Sequence, residues 1–193
     1  MELFEKYTEK DEYIVKELSK LKLFLIGGTA IDLWCRKLHL KPWRSRSNND
    51  IDFYTPASNK YGVKSAITFL RQNEFDDIAQ DPFIVHAQNV DKTIEVDILI
   101  DNETLPPYLF KKDSGISVMS PIFLFASKFD RFINTYDSQR RKTDRMDLLQ
   151  LMDIIVKMNL VDDFEKFLQT RHYDENAQSI IDTLISTYNE KYS

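Results

Sequence analysis

The stretch LFLIGGTAIDLWCRKLHLKPWRSRSNNDIDFYT, residues 23–55, decides how the rest of the chain is read. The chain has only four glycines in 193 residues, and two of them, Gly27 and Gly28, stand together directly after a short apolar run. Such a run, stopped by a glycine pair, reads as a buried strand ending in a tight turn. Residues 29–38 then space their apolar side chains as a helix does. Residues 39–48, with Pro42 and a mixture of Ser, Asn and Arg, read as a loop, and residues 50–55 as a strand stopped at Pro56. Strand side chains alternate between faces, so Asp50 and Asp52 project to one side while Ile51 and Phe53 project to the other.

Working outward, residues 3–20 carry Leu3, Phe4, Tyr7, Tyr13, Ile14 and Leu18 at roughly helical spacing, which predicts an amphipathic helix or two short ones. Residues 59–75 read as a helix. Residues 82–90 and 92–101 read as two strands of a hairpin turning at Asn89–Lys92. From residue 120 the character changes. Ser120-Pro121 is a helix start, and helices are predicted over 121–135, 144–158 with Thr143 as cap, 161–171 and 176–191. The prediction is an α/β (α+β) fold with a mixed sheet in residues 1–110, a boundary near 105–119, and a helical region over 120–193 that completes the site cleft.

Composition narrows the class. A hydrophobic content of 42% with 13 phenylalanines supports a packed core rather than disorder. Phe123, Phe125, Phe129, Phe132 and Trp34 read as core. No apolar run approaches about 18 residues, so no membrane span is expected. The charged N-terminus lacks a signal-peptide core, and the single Cys35 excludes an internal disulfide, so the expected location is cytoplasmic. A net charge of −5 argues against a surface that grips nucleic acid everywhere. Two local clusters are basic, however. Arg36, Lys37, Lys41, Arg44 and Arg46 lie in an acid-free run from Leu33 to Asn49, and Arg140, Arg141, Lys142 and Arg145 form a second group.

In residues 93–100, Ile94, Val96, Ile98 and Ile100 make one face, and Thr93, Glu95, Asp97 and Leu99 the other. If this strand pairs beside the Asp50 strand, Asp50, Asp52 and Asp97 meet on one face. Converging carboxylates repel unless a cation sits among them, and a hard divalent ion such as Mg²⁺ takes a few carboxylates plus substrate phosphates. A glycine turn opening a helix lets backbone approach a phosphate closely, at the positive end of the helix, and Thr29 adds a hydroxyl. A glycine pair alone, or Asp-x-Asp alone, is a common feature. Their combination with a later strand aspartate points to a polyphosphate and its metal. His39, His86 and His172 show no ligand spacing.

In these motifs the chain resembles the nucleotidyltransferase superfamily. "GGTAIDLW" and "RSNNDIDFYT" resemble more narrowly the AbiEii type, the nucleotidyltransferase-like toxins that include the MenT toxins. Arg46 and Asp50–Phe53 match that pattern, while Asn48 stands where it has serine. The helical half carries Lys128 in "PIFLFASKFDRF" and Asp144, Asp147 and Leu148 in "RRKTDRMDLLQL", which also resemble the family. The resemblance spans residues 23–150. It implies a nucleotidyltransferase fold and transfer of a nucleotidyl group from an NTP to an acceptor hydroxyl, with Mg²⁺ or Mn²⁺. It implies that Asp50, Asp52 and Asp97 hold metal, that Gly27, Gly28, Thr29, Arg46, Lys128 and Arg141 bind nucleotide, and that Lys128 and Asp144 join the catalytic set. It favours RNA, in particular the 3′ end of tRNA, as acceptor, and a toxin restrained by an antitoxin protein. A small-molecule acceptor and a non-catalytic nucleotide-binding module are the alternatives.

Overall fold

A computed structural model of the chain describes residues 8–44, 50–102, 105 and 109–192. The chain divides into two units: Met1–Leu33 with Arg46–Ser120, built on a sheet, and Trp34–Ser45 with Pro121–Ser193, built of helices.

In the sheet unit, helix α1, Glu9–Lys20, opens at Thr8 with a reciprocal cap. The Asp11 carboxylate accepts from the Thr8 backbone N–H at 2.7 Å, and the Thr8 hydroxyl accepts from the Asp11 N–H at 3.2 Å. Leu3, Phe4 and Tyr7, expected on this helix, lie outside the described residues. Among the described residues the sheet has seven strands: β1 (Phe24–Leu25), β2 (Asp50–Pro56), β3 (Phe75–Gln80), β4 (Ile84–Asn89), β5 (Glu95–Asp101), β6 (Phe110–Asp113) and β7 (Ile116–Met119), in the order β3-β4-β5-β2-β1-β7-β6. β2 runs parallel to β5 and β1 parallel to β7, and the remaining neighbours are antiparallel. Helices α2 (Gly27–Lys37) and α3 (Lys60–Gln72) follow β1 and β2. The apolar alternation expected in β2 and β5 is present, with Ile51, Phe53, Val96 and Ile98 fully buried, and β4 alternates likewise through Val85 and Ala87.

Three of these strands were not anticipated from sequence. β3 and β6 are the two edges of the sheet, and both are polar: "FDDIAQ" exposes four of its six residues, and "FKKD" is mostly charged. Charge on an edge strand discourages pairing with other chains, and it also erases the apolar alternation by which a strand is read. β7, "ISVM", is too short to show a period. Phe75, placed on a helix by its sequence, opens β3 instead, because α3 stops at Gln72 and the backbone turns left-handed at Glu74 (φ 70°).

The helical unit contains α4 (Pro121–Asn134), α5 (Ser138–Lys157), α6 (Val161–Thr170) and α7 (Glu175–Tyr192). α4 begins at Pro121, as its sequence indicates. α5 begins earlier than expected: the Asp137 carboxylate accepts from the N–H groups of Gln139 and Arg140, and Thr143 lies inside the helix with its hydroxyl donating to the Arg140 carbonyl. Every residue of α5 from Asp147 to Ile155 is buried, so this is the central helix, with no solvent face along that length. Phe125 and Phe129 are fully buried, Phe125 meeting Phe164 edge-on at 4.8 Å, while Phe123 is only half-buried. Among the described residues no helix is long and apolar enough to cross a membrane.

Candidate active site

The glycine turn and the Asp-x-Asp strand are built as one piece. β1 is antiparallel to β2, with Leu25 opposite Phe53, and the Ile26 N–H donates to the Asp52 carbonyl at 2.8 Å. The chain turns at Gly27, whose φ is +67°, a left-handed value that glycine adopts without strain. A Cβ at Gly27 would lie 1.9 Å from Asp52 Oδ2 and 2.8 Å from its Cγ. Only a residue without a side chain can bring the first turn of α2 this close to the carboxylate. That first turn carries no acid of its own, so its positive end faces a charge supplied by the neighbouring strand. Gly28 sits one residue further into α2, half-buried. Thr29 is buried, and its hydroxyl donates to the Asp50 carbonyl at 2.9 Å. The hydroxyl expected at a phosphate thus ties the helix to the strand.

Register gathers the acids. Asp52 is paired with Asp97 and Asp50 with Glu95 across the parallel β2–β5 pair. In the antiparallel β4–β5 pair, His86 is opposite Asp97 and Gln88 opposite Glu95. One face therefore carries two rows: His86, Asp97, Asp52 and Gln88, Glu95, Asp50. The hairpin turn sets this register. The Asn89 side-chain oxygen accepts from the Thr93 and Ile94 N–H groups at 2.8 and 2.9 Å, closing the turn in one way.

Asp50, Asp52 and Asp97 are half-buried on the shared face, as their alternation indicated. Among the described residues, however, no three His, Cys, Asp or Glu side chains converge so as to hold a metal ion by themselves. One oxygen of Asp97 is engaged instead: Oδ1 lies 2.6 Å from His86 Nδ1. That bond raises the His86 pKa above the ordinary histidine value, against the opposing effect of desolvation, with the charges of Asp97, Glu95 and Asp77 adding to the rise. Gln88 Nε2 likewise donates to Glu95 Oε1 at 2.8 Å. His86, Gln88 and Glu95 were not singled out by sequence. Their signal was the alternation of "IVHAQN" against "EVDILI", which becomes informative once the hairpin register is known.

The donor chemistry nevertheless suits a hard divalent cation. Asp50 and Asp52 offer only oxygen ligands beside a helix N-terminus. Mg²⁺ is commonly held by one or two carboxylates with substrate phosphates completing its shell, so a preformed three-residue clasp is not required.

In the helical unit, Lys128 and Asp144 belong to a buried ion-pair network. Lys128, with its side chain 11% exposed, lies 3.0 Å from Asp147 and 3.6 Å from Asp144. Asp144 also takes Arg131, whose Nε donates at 2.8 Å. Asp147 takes Arg44 through Nε and Nη2 at 2.8 and 3.0 Å, a two-pronged bond. Burial lowers the Lys128 pKa and the neighbouring Arg131 charge assists, while Asp147 and Asp144 oppose the shift. Trp43 extends the network: its backbone N–H donates to Gln150 at 2.7 Å, and its indole N–H donates to Asp153. Buried charges must be paired, and α5 buries Asp144 and Asp147 because it is central. Lys128 and Asp144, expected as nucleotide and catalytic residues, are brought together in this network at 3.6 Å. Arg141 is exposed, its guanidinium 5.1 Å from the centre of the Phe132 ring. Arg46, expected at the nucleotide, lies outside the described residues.

No protein-family model matches the chain, and no curated protein matches it. Solved structures do. The polyadenylate synthase of Megavirus superposes with a TM-score of 0.54 at 21% identity, covering 75% of this chain and 31% of that one. The fold is nucleotidyltransferase-like. The chain spans less than a third of the length of that viral enzyme. JHP933 from Helicobacter pylori matches at a TM-score of 0.47 and 17% identity, covering 96% of this chain and 94% of that one. An antigenic nucleotidyltransferase-like protein from Paracoccidioides brasiliensis matches at 0.48 and 14%, covering 85% and 88%. On the nucleotidyltransferase-like frame, the turn at Gly27 and the strand at Asp50–Asp52 are adjacent parts of the sheet unit.

Proposed function

We propose that the chain is a metal-dependent nucleotidyltransferase that moves a nucleotidyl group from an NTP to a hydroxyl of RNA, with the 3′ end of tRNA as acceptor. The observation that carries this reading is the approach of Gly27 to Asp52: a helix N-terminus stripped of side chain lies directly against a carboxylate of an Asp-x-Asp strand. In this reading the backbone at Gly27, Gly28 and Thr29 receives the β- and γ-phosphates, since N–H groups at a helix start suit an anion. Asp50 and Asp52 would hold Mg²⁺ or Mn²⁺, with Asp97 as a further oxygen donor. The ion would supply neutralisation of charge on the phosphoryl groups. The acceptor oxygen attacks the α-phosphorus, the bond to the β-phosphate breaks, pyrophosphate leaves, and the hydroxyl proton passes to Asp97.

The acceptor reading rests on the second basic cluster. Arg140, Arg141, Lys142 and Arg145 are exposed on α5, and Tyr136, between α4 and α5, is fully exposed at 102%. Cations beside an open aromatic ring suit a single-stranded nucleic acid, whose bases stack while its phosphates pair. Resemblance at "GGTAIDLW" and "NNDIDFYT" extends the proposal to an AbiEii-type toxin with a cognate antitoxin, and to a place for Arg46 at the nucleotide.

The test is incubation of the protein with each labelled NTP, a divalent metal and total cellular RNA. Label in RNA with pyrophosphate released, both abolished by Asp52→Asn in a folded protein, is the expected result. Label on a small molecule alone would overturn the acceptor, and undiminished pyrophosphate release by Asp52→Asn would overturn the metal assignment.

A further inference from the structure

Strand β4 contributes no acid to the face that carries Asp50, Asp52, Glu95 and Asp97, yet it places a hydrogen-bonding side chain against both Glu95 and Asp97 of β5. His86 Nδ1 lies 2.6 Å from Asp97 Oδ1, and Gln88 Nε2 lies 2.8 Å from Glu95 Oε1. Both contacts are cross-strand register pairs, so they follow from the backbone rather than from chance rotamers of long side chains. The His86 and Asp97 side chains are 42% and 40% exposed. A polar pair this open to water contributes little to holding a fold together. What the bond does settle is orientation: it ties one oxygen of Asp97, and with it the plane of the carboxylate, while Asp97 stands opposite Asp52.

We infer that His86 is a positioning residue for Asp97, holding one carboxylate oxygen so that the other is presented to a divalent cation beside Asp52. The inference rests on the proposed reading of Asp97 as an oxygen donor. Carboxylate ligands are themselves usually held by hydrogen bonds, and loss of such a partner costs about 10–100-fold in metal affinity.

The experiment is direct titration of Mn²⁺ followed by electron paramagnetic resonance, without NTP and with a non-hydrolysable NTP analogue, so that binding is read apart from turnover. His86→Leu removes the donor, and His86→Asn keeps a side-chain N–H near the position of Nδ1. His86→Leu is expected to weaken Mn²⁺ binding by about 10–100-fold, with its thermal midpoint close to that of the wild type, and His86→Asn to recover most of the loss. In an Asp97→Asn background, His86→Leu should add nothing, because the two act through one bond. Wild-type Mn²⁺ affinity in His86→Leu, alongside weakened binding in Asp97→Asn, would overturn the role of His86 and leave the metal reading standing. Unchanged binding in Asp97→Asn would overturn both the inference and the place of Asp97 in the site. A wild-type protein that binds no Mn²⁺ in either condition would overturn the proposed function, and the inference with it.

Discussion

The carboxylate of Asp52 occupies the space where a Gly27 side chain would be: a Cβ there would meet Oδ2 at 1.9 Å. Turn and strand are therefore interdependent, and a change at either alters both the fold and the presentation of the acid.

Gly27→Ala combines a left-handed backbone with a direct clash, and it is expected to cost about 1–3 kcal/mol of stability and to abolish stabilisation by NTP with Mg²⁺. Gly115→Ala is the matched control. Its φ is +85° but nothing lies within 4 Å of its Cβ position, so it carries the backbone strain without the clash. Thermal unfolding of both variants with and without ligand separates the two effects. Equal responses to ligand would remove the turn from the nucleotide site.

His86 should titrate above the ordinary histidine value of 6.5 in metal-free protein, because the charged ring gains the Asp97 carboxylate. A raised folded-state pKa means that the stabilising contribution is fully present below the unfolded value and is lost as pH rises through the folded one. NMR of the ring protons against pH measures it directly, and Asp97→Asn should return the midpoint toward 6.5. A wild-type midpoint at or below that value would contradict the pair.

In the helical unit, Asp147→Leu leaves Lys128 and Arg44 buried or half-buried without their shared carboxylate, whereas Lys128→Met leaves each aspartate with an arginine partner. Removing one side of a buried pair costs about 3–5 kcal/mol when a charge is stranded. Urea unfolding should therefore rank Asp147→Leu as the more damaging change. The reverse order would show that Lys128, rather than the arginines, balances the acids of α5.

Tyr136 is fully exposed, so Tyr136→Ala should leave stability unchanged. Loss of one stacked base is expected to weaken single-stranded RNA binding by about 1–3 kcal/mol. Arg140→Gln with Arg141→Gln should flatten the salt dependence, by about 0.7 in log–log slope for each phosphate contact removed. RNA binding measured across a salt series checks both. An unaltered slope in the arginine variant would place the RNA elsewhere.

What the sequence determined by itself was whatever rests on short-range pattern. The turn at Gly27, the shared face of Asp50 and Asp52, the apolar faces of β2 and β5 and the start of α4 at Pro121 are all local: each follows from alternation, a glycine pair or a helix-start dipeptide within a few residues. Tertiary structure decided what depends on partners distant in the chain. The edge strands β3 and β6 were invisible because charge on an edge hides the alternation that marks a strand. The pairing of His86 with Asp97 required the register set by the turn at Asn89. Lys128 and Asp144 were grouped by motif resemblance, and the structure joins them to Arg131 of α4 and Asp147 of α5, which in turn takes Arg44 from the segment before β2. They meet because Asp144 and Asp147 are buried on α5, and a buried acid must find a cation wherever in the chain one is available.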